Sequence, residues 1–225
     1  MIRPPRRHSC VRALASALAV ALAVLLHVGA AQALIISEVL ANPVGGFGSD
    51  DGLEYVELYN DGATTLTDLS GYSLGWGGGD YTFGTLDLAA LGVVNLAPGD
   101  YIVIGNTASP VDFDPDLPDG FIAAAGVGLF DVPVGSIGTN NPIDAVIYTH
   151  LLGGNFNNLI DETGAVGTID ATTGAAGESI ERQTLGGGWS NAAAPTPGGG
   201  SLIPEPSTAL LTAVGLLLLG VRRRR

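Results

Sequence analysis

The chain has 225 residues, including 34 glycines and 13 prolines, which allows one medium-sized domain and argues against a helical bundle. All nine basic residues are arginines, and eight of them lie at the two ends, at positions 3, 6, 7, 12 and 222–225. Residues 34–199 contain one basic residue, Arg182, and 21 of the 22 acidic residues, because only Glu205 lies outside this range. Their formal charge is therefore −20. A surface this acidic repels phosphate backbones, which excludes nucleic acid as a partner.

The N-terminal end has the organisation of a secretory signal peptide. Arginines precede an apolar run over 13–26, and Ala31 and Ala33 supply the small residues at positions −3 and −1 of a signal-peptidase site. We therefore expect signal peptidase to remove residues 1–33. An uncleaved membrane anchor is the disfavoured alternative, because the run is shorter than the roughly 20 residues of a spanning helix. Cys10 precedes the run, so the exported chain would carry no thiol.

Residues 34–199 contain short segments rich in β-branched and aromatic residues, each bounded by Gly, Asn, Asp or Pro. No long segment among them has the 3.6-residue period of a helix. The pattern predicts a single all-β domain built as a β-sandwich. The predicted strands are 34–40, 55–59, 72–74, 81–83, 93–96, 101–104, 145–148 and 179–183.

The second predicted strand has alternating apolar and polar residues. Alternation would place Val56 and Leu58 on one face and Glu57 on the other, as in a half-buried strand. Glu38, Glu54 and Glu57 are also candidates for paired carboxylates in acid–base chemistry. A solvated strand face is the favoured interpretation of all three.

An acidic loop is the candidate metal site. Every-second-residue spacing can bring Asp112, Asp114 and Asp116 to one side of an extended loop, with Asp119 nearby, and calcium needs several such oxygens. The loop is not an EF-hand, because Leu117 stands where that loop needs Gly. A solvated acidic loop is the favoured alternative. We expect no cofactor other than this calcium ion.

His150 is the one histidine left after export, and without a second histidine or a cysteine it cannot build a zinc site or a catalytic triad. We interpret it as a loop residue and expect no catalytic residue.

The C-terminal end combines three features in a fixed order. A linker over 200–208 carries Pro204, Glu205 and Pro206, and residues 209–225 combine an apolar stretch with four terminal arginines. This order of features resembles the PEP-CTERM sorting signal. In that family the membrane enzyme exosortase recognises the tripeptide, a short transmembrane helix anchors the protein transiently in the inner membrane, and the arginines stay in the cytoplasm. The resemblance implies export to the surface or extracellular matrix of a Gram-negative bacterium. A tail anchor that is never cut is the alternative.

The region between the two ends contains a series of segments that occur in a characteristic order. They are 34–39, 54–60, 69–74, 96–104, 144–148, 179–182 and Trp189 followed by 195–198. This series resembles a bacterial lamin-tail domain, which implies an immunoglobulin-like β-sandwich in which the matching positions are mostly structural. The chain departs from the resemblance at 110–141 and 151–177, which we interpret as insertions or elaborated loops.

Three classes of function are compatible with these features. The favoured one is a non-enzymatic surface or matrix protein that contacts extracellular polysaccharide or other surface proteins. The second is a calcium-dependent carbohydrate-binding module, which would need metal in the acidic loop and an exposed Trp76 or Trp189 to stack on sugar rings. The third is an extracellular hydrolase or an accessory to one, and it is least favoured because no second domain with catalytic residues fits beside 34–199. We expect the domain itself not to be an enzyme.

Overall fold

The computed structural model describes residues 34–44, 52–107, 109–121, 123–150, 154–173, 175–185, 187–192 and 194–199. All of them belong to one compact unit, Gln32–Glu205. Within these ranges, no helix combines the length and the apolarity that crossing a bilayer requires. The predicted signal peptide with Ala31 and Ala33, the sorting motif Pro204, Glu205 and Pro206, and the apolar tail lie outside the described residues.

Short strands and two 3-10 helices form the regular structure of the described residues, which confirms the all-β prediction. The 3-10 helices are Leu88–Leu91 and Val134–Thr139. The strands are β1 (Ile35–Leu40), β2 (Tyr55–Tyr59), β3 (Leu66–Asp68), β4 (Ser73–Trp76), β5 (Gly84–Asp87), β6 (Val93–Leu96), β7 (Tyr101–Gly105), β8 (Ala125–Phe130), β9 (Asp144–Thr149), β10 (Ala171–Thr172), β11 (Ser179–Thr184) and β12 (Gly187–Ala192).

Two five-stranded sheets make up the framework. The first sheet has the order β12-β11-β1-β2-β7 and is antiparallel throughout. The second has the order β10-β9-β8-β4-β5 and is antiparallel except for the parallel pair β10 and β9. Strands β3 and β6 form a separate antiparallel pair. The arrangement is consistent with the expected immunoglobulin-like sandwich.

The main hydrophobic core receives side chains from both sheets. Val39 and Val56 come from the first sheet and Leu74, Val127 and Val146 from the second, and all five are 0% exposed. Alternation along each strand supplies one inward row of side chains per strand. Each fully buried aliphatic side chain stabilises the fold by about 1.5–3 kcal/mol.

A β-bulge in β1 decides which of its side chains leave the core. Ile36 and Glu38 pair with consecutive residues of β2, so Ser37 is the extra residue. Because of this insertion, Ile36 and Val39 both belong to the core, while Glu38 lies opposite Glu57 on the outer side of the sheet.

The segments expected to be irregular insertions form part of the fold. Residues 125–130, within the predicted loop 110–141, form β8 in the middle of the second sheet, so the loop prediction is wrong there. The sequence AGVGLF does not predict a strand, because Gly and Ala are weak strand formers. The small residues have a packing reason: a Cβ on Gly128 would lie 2.8 Å from the Phe130 ring. In the second predicted loop, Leu159 is fully buried in a second apolar cluster, with Tyr81 and Ile147.

The strand predicted over 81–83 is also wrong. Tyr81 has a positive φ of 58°, and β5 begins only at Gly84. Tyr81 instead turns inward, where its hydroxyl donates a hydrogen bond of 2.8 Å to the carbonyl oxygen of Ile160. This aromatic residue therefore holds a segment 79 positions away in sequence rather than extending a sheet.

Candidate functional site

A buried ion pair joins the two sheets. Arg182 of β11 donates from Nη2 to both carboxylate oxygens of Asp144 on β9, at 2.6 and 2.8 Å. Its Nε donates to the Ile36 carbonyl oxygen at 2.8 Å, and the Ile36 N–H donates to Asp144 at 2.6 Å. Burial raises the pKa of Asp144, and the neighbouring Arg182 charge is the main influence that lowers it. The pair therefore ties β1, β9 and β11 together.

A polar cleft of about 470 Å³ opens beside this ion pair. The indole of Trp189 lies at its wall, with the Arg182 guanidinium carbon 4.4 Å from the ring centroid. Glu162 also lines the cleft and accepts a hydrogen bond from the Ala145 N–H at 2.9 Å. Other acidic side chains that line it are Asp61, Asp161 and Asp170. Carboxylates outnumber the single arginine, so the cleft favours cationic or neutral hydrogen-bonding groups over anions.

Carboxylate-to-backbone hydrogen bonds recur through the fold. Glu38 accepts from the Thr196 N–H at 3.1 Å, and Glu54 accepts from the Leu117 N–H at 2.7 Å. Glu57 accepts from the Gly198 N–H. Asp144 accepts from Ile36 in the same way, as described above. Each of these four carboxyls thus holds a segment remote from it in sequence.

The expected solvated face for Glu38, Glu54 and Glu57 is therefore wrong. Their exposures are 0%, 2% and 0%. Alternation correctly predicted that Glu57 lies on the face opposite to Val56 and Leu58, but this outer face is covered at Glu38 and Glu57. The cover near Glu38 and Glu57 comes from residues 194–199, here called the closing strap.

Three glutamates form a row on this covered face, here called the carboxylate row. Glu38 of β1 pairs directly with Glu181 of β11 on one side and with Glu57 of β2 on the other. The hydroxyls of Ser37 and Ser179 donate to Glu57 and Glu38, respectively. Burial raises the pKa of Glu57 to about 7, and the charges of Glu38 and Glu181 add to this rise. The hydrogen bonds to the carboxylate row come from uncharged donors, whereas Asp144 is paired with the charged guanidinium of Arg182.

Only two of the four aspartates of the predicted calcium loop line a surface groove. Asp112 and Asp114 are exposed, whereas Asp116 and Asp119 line a groove of about 430 Å³. Among the described residues, no three acidic, histidine or cysteine side chains converge closely enough to hold a metal ion. The structure therefore does not bring the four aspartates together as a calcium site, although it anchors the loop through the 2.9 Å hydrogen bond from Trp76 Nε1 to the Pro115 carbonyl.

The two tryptophans have different environments. Trp76 is 1% exposed and packs edge-on against Phe113, with ring centroids 5.1 Å apart, so it cannot serve as a sugar platform. Trp189 is partly buried against Arg182. His150 lies in a bend after β9, as expected of a loop residue, with its ring against Phe121. Sequence reasoning missed the role of Arg182; the one available signal was that a buried carboxylate in 34–199 has no other cationic side chain to pair with.

Comparison with known proteins gives one family match. The family model Lamin Tail Domain matches residues 27–174. The matched range contains β1 to β10 and ends before β11, the strand that carries Glu181 and Arg182. No curated protein matches the chain, and no solved structure matches it.

Proposed function

The chain belongs to the lamin tail domain family, and from this membership we propose that it is a non-enzymatic interaction module. It is exported and acts at the cell surface or in the extracellular matrix of a Gram-negative bacterium. Its partners there are extracellular polysaccharide or other surface proteins.

One observation carries the proposal: the buried carboxyl groups bind the backbone of the domain itself. Glu38, Glu54, Glu57 and Asp144 each accept a hydrogen bond from a backbone N–H of another segment. A general acid or base must instead reach a substrate proton at hydrogen-bonding distance. These groups therefore stabilise the framework of the domain. The exposed loops make the contacts with partners.

The charge of the surface supports the choice of partner. Arg182 is 6% exposed and paired with Asp144, so the exposed charged side chains among the described residues are carboxylates. Such a surface favours neutral polymers, cationic groups and contacts bridged by divalent cations, and it stays hydrated and soluble outside the cell.

The route to the surface follows from the two ends of the chain. Signal peptidase cuts after Ala33, and exosortase then acts at the motif Pro204, Glu205 and Pro206. The apolar helix within 209–225 holds the protein in the inner membrane until that cut, with the terminal arginines on the cytoplasmic side.

The test uses the full chain in its native bacterium. Replacing Pro204, Glu205 and Pro206 with alanine should leave export intact but trap a membrane-bound form that keeps its tail, as seen by mass spectrometry of each cell fraction. A chain carrying alanine at Ser201, Ser207 and Thr208 is the matched control and should be released as the wild type is. Intact residues 209–225 on released wild-type protein would refute the processing step.

The interaction role has its own readout. Deleting the gene should reduce cell–cell adhesion and the amount of surface-bound polysaccharide, and the wild-type chain should restore both. A wild-type chain found in the cytoplasm, or an unchanged surface in the deletion strain, would contradict the proposed role.

A further inference from the structure

A surface groove of about 430 Å³ lies where the β4–β5 connection meets the chain between β7 and β8. Phe83, the residue before β5, lines this groove and is 58% exposed. Leu117 and two prolines, Pro115 and Pro118, line it as well, so the exposed ring belongs to a larger apolar surface. An aromatic and apolar surface with polar groups at its rim is typical of a ligand-binding groove.

Two polar contacts with buried side chains hold the chain that forms one wall of the groove. The Pro115 carbonyl oxygen accepts a hydrogen bond of 2.9 Å from Nε1 of Trp76, which is 1% exposed. The Leu117 N–H donates at 2.7 Å to Glu54, which is 2% exposed and also lines the groove. These contacts fix the wall before a ligand arrives, which reduces the conformational entropy lost on binding.

A glycine lies where the two walls of the groove meet. Gly77 has a positive φ of 66°, and a Cβ built on it would lie 2.9 Å from Pro118 Cγ and 3.0 Å from Phe83 Cβ. Pro118 and Phe83 therefore lie close to each other beside the Gly77 backbone. The position of the exposed ring is thus set by packing within the groove.

The charges in the groove select among ligands. Asp116 and Asp119 line it together with Phe83, and none of its described lining residues is an arginine, a lysine or a histidine. The one arginine of the described residues, Arg182, is paired with Asp144. Carboxylates accept hydrogen bonds from ammonium and hydroxyl groups and repel anions, so the groove favours a polar cationic ligand that also has an apolar face.

We infer that this groove is the binding site for a polysaccharide whose sugars carry free amino groups. The apolar C–H face of one sugar ring packs on the Phe83 ring, and the ammonium groups pair with Asp116 and Asp119. A groove open along the surface admits a polymer, whereas an enclosed pocket would admit only its end. The choice of a polysaccharide over a cationic peptide rests on the proposed surface role, but the aromatic wall and the charge of the groove do not depend on that role.

Isothermal titration calorimetry of the full chain in a non-ionic detergent tests the ligand class at mildly acidic pH, where sugar amines are protonated. A short chitosan oligomer should bind. Its N-acetylated counterpart, which has the same rings without the charges, should bind at least about tenfold more weakly. Oligolysine of equal charge, which has no sugar rings, should also bind at least about tenfold more weakly. Absence of chitosan binding, or equal affinity for either of the other two ligands, would overturn the proposal.

Two pairs of variants locate the binding in the groove. Phe83→Ala should weaken chitosan binding about tenfold. Phe156→Ala removes a ring that is 75% exposed outside the groove and should bind chitosan as the wild type does. Asp116→Asn should weaken binding about threefold, whereas Asp131→Asn removes an exposed charge outside the groove and should not. Equal affinities within either pair would place the binding elsewhere and overturn the proposal. If Phe83→Ala does not fold, the wild-type ligand series still decides.

The groove and the surface role can fail separately. A purified chain that does not bind chitosan, from a strain whose adhesion depends on the gene, would overturn the groove and leave the surface role standing. Selective chitosan binding by the purified chain, together with an unchanged surface in the deletion strain, would support the groove and contradict the role.

Discussion

The indole ring of Trp76 occupies the space that a side chain at Gly84 would need. The two residues are direct partners in the β4–β5 pair, and a Cβ built on Gly84 would overlap Trp76 ring atoms. A buried tryptophan thus depends on a glycine in the neighbouring strand, and it carries the hydrogen bond that anchors the acidic loop.

Gly84→Ala should therefore destabilise the domain by about 1–3 kcal/mol, because the new methyl group forces the indole from its position. Gly135→Ala is the matched control, since a Cβ there meets nothing within 4 Å. Urea unfolding followed by tryptophan fluorescence measures both variants. Equal stability of the two would show that the core near Trp76 can rearrange freely.

The Arg182–Asp144 pair should show strong coupling. Asp144→Asn or Arg182→Met alone leaves one buried charge without its partner, and each should cost about 3–5 kcal/mol. The double variant should lose clearly less stability than the sum of the two single losses, because no uncompensated charge remains. The introduced asparagine side chain can also still accept the hydrogen bond from the Ile36 N–H. Chemical denaturation of all four proteins completes the cycle. Additive losses would mean that the two side chains act independently.

Stability should fall as the pH rises from about 5 to about 8. The folded-state pKa of Glu57 is raised to about 7, so the stabilisation that protonation provides is complete below 4.5 and is lost as the pH passes through about 7. Allowing for solvent screening, the loss is on the order of 1 kcal/mol. Urea unfolding at constant ionic strength checks the direction. A free energy of unfolding that increases over this range would contradict it.

Replacing the amide of Asn60 with a charged group should destabilise the domain. It is 0% exposed, and its Nδ2 donates to the carbonyl oxygens of Thr64 and Leu96 at 2.9 and 2.8 Å. Asn60→Asp removes both donors and places a carboxylate against two carbonyls, which should cost about 3 kcal/mol. Asn140→Asp makes the same change at an exposed site and should cost less than about 1 kcal/mol. Thermal unfolding of the two variants gives the comparison, and similar melting temperatures would refute the role of Asn60.

Local sequence was sufficient where a strand shows its own signals. Strands β2 and β6 have the bounds that alternation and flanking turn residues predicted. Strand β8 was missed because its glycines serve packing against neighbouring rings, a requirement that lies outside its own sequence. The candidate cleft was missed for the same reason, since Arg182 and Asp144 are 38 positions apart.

The sequence by itself determined the all-β class, the family resemblance, the extreme acidity of residues 34–199 and the direction in which Glu57 leaves the core, since each depends on composition or on the two-residue period of a strand. Only the tertiary structure decided that Glu38 and Glu57 are buried. The N–H group that meets Glu38 lies 158 positions away, and the one that meets Glu57 lies 141 positions away. The alternation within a strand predicts on which face of the sheet a side chain lies. Whether that face is exposed to water or covered by another segment depends on how distant parts of the chain pack against it.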